Sequence, residues 1–176
     1  EVEVTGELGK GTERLDFTRA DKITRIKVVL PNRSYNVEDT DLIVKVPAAS
    51  LVSVNTVSAD IGVQGVRGTQ RLQSVSGEMR TEASGEDIEC RTVSGDVNIA
   101  GSGRKGLVSI TTVSGDATAT RLAGEVNGST VSGNLTLGVG ETSRSRLRST
   151  SGDLTLQGSL AADARLDIES ISGDVR

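Results

Sequence analysis

The sequence predicts an all-β protein built as a single-domain β-solenoid, a parallel β-helix with coils of about 18–21 residues. Three observations lead there. A short pattern typified by Thr92-Val93-Ser94-Gly95-Asp96 returns at a nearly constant interval. Apolar and polar residues alternate on either side of each copy, the period of a half-buried strand. A period near 19 is too short for blade or helical repeats, so the repeating unit is a coil of strands and turns.

Residues 1–50 open the chain as extended but less regular structure. Val2/Val4, Leu15/Phe17, Ile26/Val28/Leu30 and Leu42/Val44/Val46 each alternate with polar or charged neighbours. Gly9-Lys10-Gly11 and Pro31-Asn32-Arg33-Ser34 read as turns between these runs, and Pro47 closes the last. The expectation is a set of irregular β coils, continuous with the regular repeats of residues 51–176 and belonging to the same domain.

From Thr56 the repeat takes over, anchored on Ser58, Ser76, Ser94, Ser114, Ser132, Ser151 and Ser172. Successive serines lie 18, 18, 20, 18, 19 and 21 residues apart, a drift that small loop insertions in stacked coils explain. Two residues before each serine stands Thr or Ser, and the residue between is Val in the first five copies, then Thr150 and Ile171. Gly follows the serine everywhere except at Ala59, and an acid or Asn134 comes next. Gly65, Gly85, Gly101, Gly124, Gly138 and Gly158 mark the opposite corner of their coils.

Parity along a strand poses a conflict at the pattern itself. Counting by twos from Ile110 turns Thr112 and Ser114 inward and Val113 outward, yet burying a valine is worth roughly 1.5–3 kcal/mol. The expectation is therefore a bend or bulge at the threonine that turns the valines, Val93 and Val97 among them, into the core and leaves Asp96 at a solvated edge. Valines left exposed would instead form a packing surface.

Composition narrows the function classes. Of 176 residues 35% are hydrophobic and 25% charged, a globular balance, while Phe17 and Tyr35 are the only aromatics, so Val, Ile, Leu, Ala and Thr must fill the interior. A net charge of −4 provides no basic footprint for nucleic acid. No apolar run of about 18 residues marks a membrane-spanning helix. The absence of histidine removes the commonest general base and transition-metal ligand. Cys90, the single cysteine, is a small buried hydrophobe on this reading.

The Ser-Gly-Asp triplets would form lines of hydroxyls and carboxylates with about 4.8 Å between coils. Such a line suggests a cation site. Turn chemistry nevertheless accounts for the same residues, because Gly permits unusual backbone angles and Asp or Asn caps turns. Carboxylates at that spacing repel by only about 0.9 kcal/mol in water, so the ladder needs no metal. Gly101-Ser102-Gly103-Arg104-Lys105-Gly106 resembles a phosphate loop but lies between strand patterns with no helix after it, and reads as a loop insertion. Arg144, Arg146 and Arg148 share one outward face, with Asp167 and Glu169 of a neighbouring coil as partners. No catalytic, cofactor-binding or metal-ligating residue is assigned, and no cofactor is expected.

The Val46-Pro47 ending, the lead-in Leu51-Val52-Ser53-Val54-Asn55-Thr56-Val57-Ser58-Ala59-Asp60 and the serial Thr-Val-Ser-Gly-Asp copies resemble an adhesin-like family of bacterial β-repeat proteins, a domain of unknown function. The resemblance implies a β-solenoid of the cell envelope, outside the cytoplasm at the periplasm or cell surface, and supplies no catalytic residues. The function expected from it is a non-enzymatic scaffold or interaction protein whose partner is a surface glycan or protein. The alternative is a polysaccharide-binding or polysaccharide-cleaving β-helix, in which carboxylates on a solenoid face do acid/base work. Self-association through the open solenoid ends is a further expectation, because unprotected strand edges pair.

Overall fold

The computed structural model describes residues 1–31 and 38–176. The expected turn at Pro31-Asn32-Arg33-Ser34 therefore lies, beyond Pro31, outside the described residues. The described residues are all β, with strands joined by turns and no helix. They form two compact units, Glu1–Pro47 and Ala48–Arg176.

In the first unit the strands pair antiparallel, which differs from the coils expected there. β1 (Glu3–Glu7) pairs with β4 (Asp41–Lys45), and β2 (Arg14–Ala20) pairs with β3 (Ile23–Val29) through a tight turn at Asp21-Lys22. Asp21 takes a left-handed φ of 52°, a conformation that short polar residues tolerate in turns. A two-residue connection can only reverse the chain, whereas a parallel coil needs a long crossover. Alternation looks the same in both kinds of strand, so it could not reveal the difference.

The second unit is a parallel β-solenoid of about seven turns. One face stacks β5 (Val52–Asn55), β7 (Gln70–Ser74), β9 (Ile88–Thr92) and β11 (Lys105–Thr112). The other stacks β6 (Ile61–Val63), β8 (Met79–Ala83) and β10 (Val97–Gly101). In β12 (Ala117–Thr130), β13 (Leu135–Ser149) and β14 (Leu154–Ser170) a single long strand runs through both faces, with register shifts where it turns the second corner.

Register assigns the drifting period to one side of the coil. From Gln70, Ile88, Val108, Val126, Ser145 and Leu166 on the first face it is always nine residues to Met79, Val97, Ala117, Leu135, Leu154 and Val175 on the second. The return leg takes nine residues from Met79 to Ile88, eleven from Val97 to Val108 and twelve from Leu154 to Leu166. All length variation therefore sits at the second corner. The Thr-Val-Ser-Gly-Asp corner keeps constant length.

The interior is a narrow aliphatic column. Leu72, Cys90, Ile110 and Leu147 from the first face meet Met79, Val97, Leu135 and Leu137 from the second, all essentially without solvent contact. Gly128 stands in the first-face row between Ile110 and Leu147, and a Cβ there would lie 2.4 Å from Leu135 Cδ2, so the leucine occupies the space a side chain would take. Near the first coils the column is closed by buried Gln70, whose amide donates to the Glu82 carbonyl at 3.0 Å and accepts from the Thr81 hydroxyl.

Candidate functional site: the repeated corner

The recurring pattern makes the first corner, and each of its positions has a separate mechanical task. The hydroxyl two residues before the serine points into the core. Ser74, Thr92, Thr112, Thr130 and Ser149 are buried, and each accepts a hydrogen bond from the amide of the glycine three residues on, at 2.9–3.1 Å. Thr112, Thr130 and Ser149 also donate to that glycine's carbonyl, at 2.8, 2.9 and 2.6 Å. The inward hydroxyl thus satisfies main-chain groups that the turn removes from the strand ladder.

This clamp decides the fate of the valine. Val57, Val75, Val93, Val113 and Val131 point outward and remain between 42% and 71% exposed, so the bulge expected to bury them is absent. Only one of two adjacent residues can face the core, and an inward valine would leave the glycine amide without its partner. An unmade buried hydrogen bond costs about 1–3 kcal/mol, which offsets what burying the valine would contribute. Val97, after the corner, is fully buried, and Asp96 lies at the solvated edge as expected.

The serine ties one coil to the next. Ser76, Ser94, Ser114, Ser132 and Ser151 each donate through Oγ to the valine carbonyl of the preceding coil at 3.1–3.2 Å. Their main-chain amides reach the same carbonyls at 2.8–2.9 Å. Each hydroxyl is thereby committed to the backbone.

Glycine is required here for closeness rather than for backbone angle. A Cβ on Gly77, Gly95, Gly115, Gly133 or Gly152 would fall 1.9–2.1 Å from the carbonyl oxygen of the matching residue one coil earlier, and none of the five has a positive φ. Ala59 begins the row of corners and has no earlier copy in the repeat against which to stack, so its methyl is tolerated.

The acid joins coils too, instead of capping its own turn. Oδ1 of Asp60, Asp96, Asp116, Asn134 and Asp153 accepts the amide of the corresponding residue one coil later, at 2.8–3.1 Å. Glu78 departs from this geometry. Its longer carboxylate accepts from Asn98 Nδ2 at 2.9 Å and pairs with Arg80 at 2.7 Å.

Elsewhere the charged side chains pair across coils. Arg146 meets Asp167 at 3.7 Å and Arg148 meets Glu169 at 2.9 Å, as the alternation predicts, and Arg144 lies 3.9 Å from Glu125. Residues Ser102–Arg104 form the loop between β10 and β11. The hollow beside that loop, lined by Gly85, Glu86, Arg104, Arg121 and Leu122, encloses about 10 Å³, room for one water and not for a phosphate. A shallow hollow of about 270 Å³ lies between Asn55, Gln73 and Arg91 on one side and Val75 and Val93 on the other. Burial pushes the Cys90 thiol up to about 12, with the nearby Glu89 carboxylate adding to it, so this cysteine is a packing residue.

Among the described residues no group of three Cys, Asp or Glu side chains is arranged to hold a metal ion, and no helix is long and apolar enough to cross a membrane. Strand alternation indicated the inward threonine and outward valine, against the expected bulge, while the glycine contact that limits the corner left no mark in the pattern. The hydroxyl bond lies within one coil, whereas the glycine contact depends on the adjacent one.

Compared with known families, residues 2–176 match the family described as Toastrack DUF4097. No curated protein and no solved structure matches the chain.

Proposed function

We infer the role of the chain from its membership: it belongs to the Toastrack DUF4097 family, a β-solenoid domain of unknown function. The reading is a non-enzymatic, adhesin-like scaffold of the bacterial cell envelope, acting outside the cytoplasm and presenting its flat faces to a surface glycan or protein. The envelope location rests on the sequence resemblance described above. One observation carries the scaffold reading: the polar groups repeated along the stack are spent on holding it together. The corner serines bind main-chain carbonyls, the corner acids from Asp60 to Asp153 other than Glu78 bind main-chain amides, and Arg146 and Arg148 pair with acids of the adjacent coil. A catalytic carboxylate pair needs two acids that break the repeat and share a cleft.

A glycan array and a cell-surface pull-down with the purified chain test this reading. Retention of a surface component without turnover supports it. Release of reducing sugar ends from a bound polysaccharide would overturn it in favour of a polysaccharide-cleaving β-helix. Finding the native protein only in the cytoplasmic fraction of its host would remove the envelope assignment.

A further inference from the structure

Three rows run side by side along the first corner. Its crest is the exposed row Val57, Val75, Val93, Val113 and Val131. One flank carries the corner acids from Asp60 to Asp174, interrupted only by Asn134. The other carries Asn55, Gln73, Arg91, Thr111, Ser129, Arg148 and Glu169, aligned by strand register, with a single acid at its far end; Arg91 also pairs with Glu89 of its own strand and Arg148 with Glu169. Because the corner leg never changes length, the crest keeps an even spacing of about 4.8 Å from coil to coil.

We propose that two copies of this chain pair laterally along the valine crest, about a two-fold axis parallel to the solenoid axis. An evenly spaced row of one residue type is complementary to itself, as an isologous interface requires. The orientation follows from charge. A two-fold parallel to the stack sets the acid flank of each copy against the other copy's Gln73, Arg91 and Arg148 flank, whose arginines are more than half exposed and are shared with Glu89 and Glu169 of their own chain. A two-fold across the stack would set acid against acid, and like charges facing each other oppose association. The hollow of about 270 Å³ beside Val75 and Val93 is floored by the amide and arginine flank and admits side chains from the partner's acid flank.

Size sets the strength. Seven corners at about 4.8 Å, with both flanks included, present roughly 400 Å² per copy, about half of what a standard stable interface buries on each side. The pair is accordingly a weak one that forms at high local concentration. It goes beyond the scaffold reading and stands without it, because the contact is read from the chain alone and needs no surface ligand.

Sedimentation equilibrium from about 10 μM to about 1 mM tests the pairing. The unmodified chain should move from monomer toward dimer across that range. Replacing Val75, Val93, Val113 and Val131 together by Thr should weaken dimerisation by about tenfold or more with an unchanged melting temperature. Thr150 already occupies the same position in the sixth copy, so the fold accepts the change. A strict monomer at every concentration, or a threonine variant that dimerises like the parent, overturns the proposal.

Orientation has its own test. Val57→Cys, Val93→Cys and Val131→Cys, made singly and treated with a short bis-maleimide, should all cross-link to their own copies, because a parallel two-fold brings every level opposite itself. Cross-linking at one level only, or at none, overturns the parallel arrangement. Cys90 is fully buried and stays silent. These readouts involve no glycan or envelope partner, so their failure is distinct from failure of the scaffold reading.

Discussion

At the scale of single residues the corner separates two requirements that look alike in a sequence, the turn-forming hydroxyl and the small residue. Gly115→Ala places a methyl where the Gly95 carbonyl stands 2.0 Å away, and backbone cannot yield as a side-chain tip can. We expect a loss of about 3 kcal/mol or more by urea denaturation, at the upper end of overpacking effects. Thr112→Val keeps the shape of the side chain and removes both its bonds to Gly115, leaving a buried amide unmade. A loss of about 1–3 kcal/mol is expected, with Thr112→Ser close to the parent because Ser74 and Ser149 already perform the task. Equal stability of the valine and serine variants would show that the inward hydroxyl is incidental.

At the scale of the element, the acid row acts as a second seam between coils, and its requirement is an acceptor rather than a charge. Asp116 Oδ1 accepts the amide of Asn134, and Asn134 does the same for Asp153. Asp116→Asn should therefore stay within about 0.5 kcal/mol of the parent, whereas Asp116→Ala should cost on the order of 1 kcal/mol. Thermal melts of the two variants side by side decide this. Much of this architecture was legible beforehand. The serine spacing gave the coil, the alternation gave Val97 and Ile99 as core, and Arg146 and Arg148 pointed to Asp167 and Glu169. The outward valines follow the alternation but go against the gain from burying them, whereas the antiparallel strands of the first unit leave no mark in the sequence. Which neighbour a strand meets is a property of the adjacent layer and leaves no period in the chain. Val113 faces outward because Thr112 serves the Gly115 amide, a bond that offsets what burying the valine would contribute. In β2 and β3, Leu15, Phe17, Ile26 and Val28 alternate in the same way whichever direction the partner runs, so alternation does not distinguish this antiparallel pair from a coil.

For the whole molecule, stability should grade along the stack. β12 is bonded to coils on both sides, whereas β14 has β13 on one side and, on the other, among the described residues, main-chain bonds at Leu154 and Leu156 alone. Leu160 and Leu166 in β14 are more than 40% exposed, while Leu135 and Leu147 in β13 have no exposure. Native-state hydrogen exchange should find the amides of Val126–Thr130 protected to nearly the global unfolding free energy and those of Leu166–Ser170 opening at lower cost. Uniform protection across both segments would mean that the coils unfold as one unit, against the nearest-neighbour behaviour expected of a stack.

The unequal legs of the coil give the molecule a fixed seam and a free one. Hydroxyl, serine, glycine and acid lock every layer on the corner side, so a residue added there breaks several bonds in the layers above and below. The other side has already absorbed two extra residues between Val97 and Val108 and three between Leu154 and Leu166 without shifting the strands that follow. It is the side on which new sequence can be grafted, at Ser102–Arg104 for instance, while the opposite edge holds alignment. Diversity and order are thus assigned to different edges of the same coil, and foreign loops displayed along one edge would inherit a regular spacing from the other.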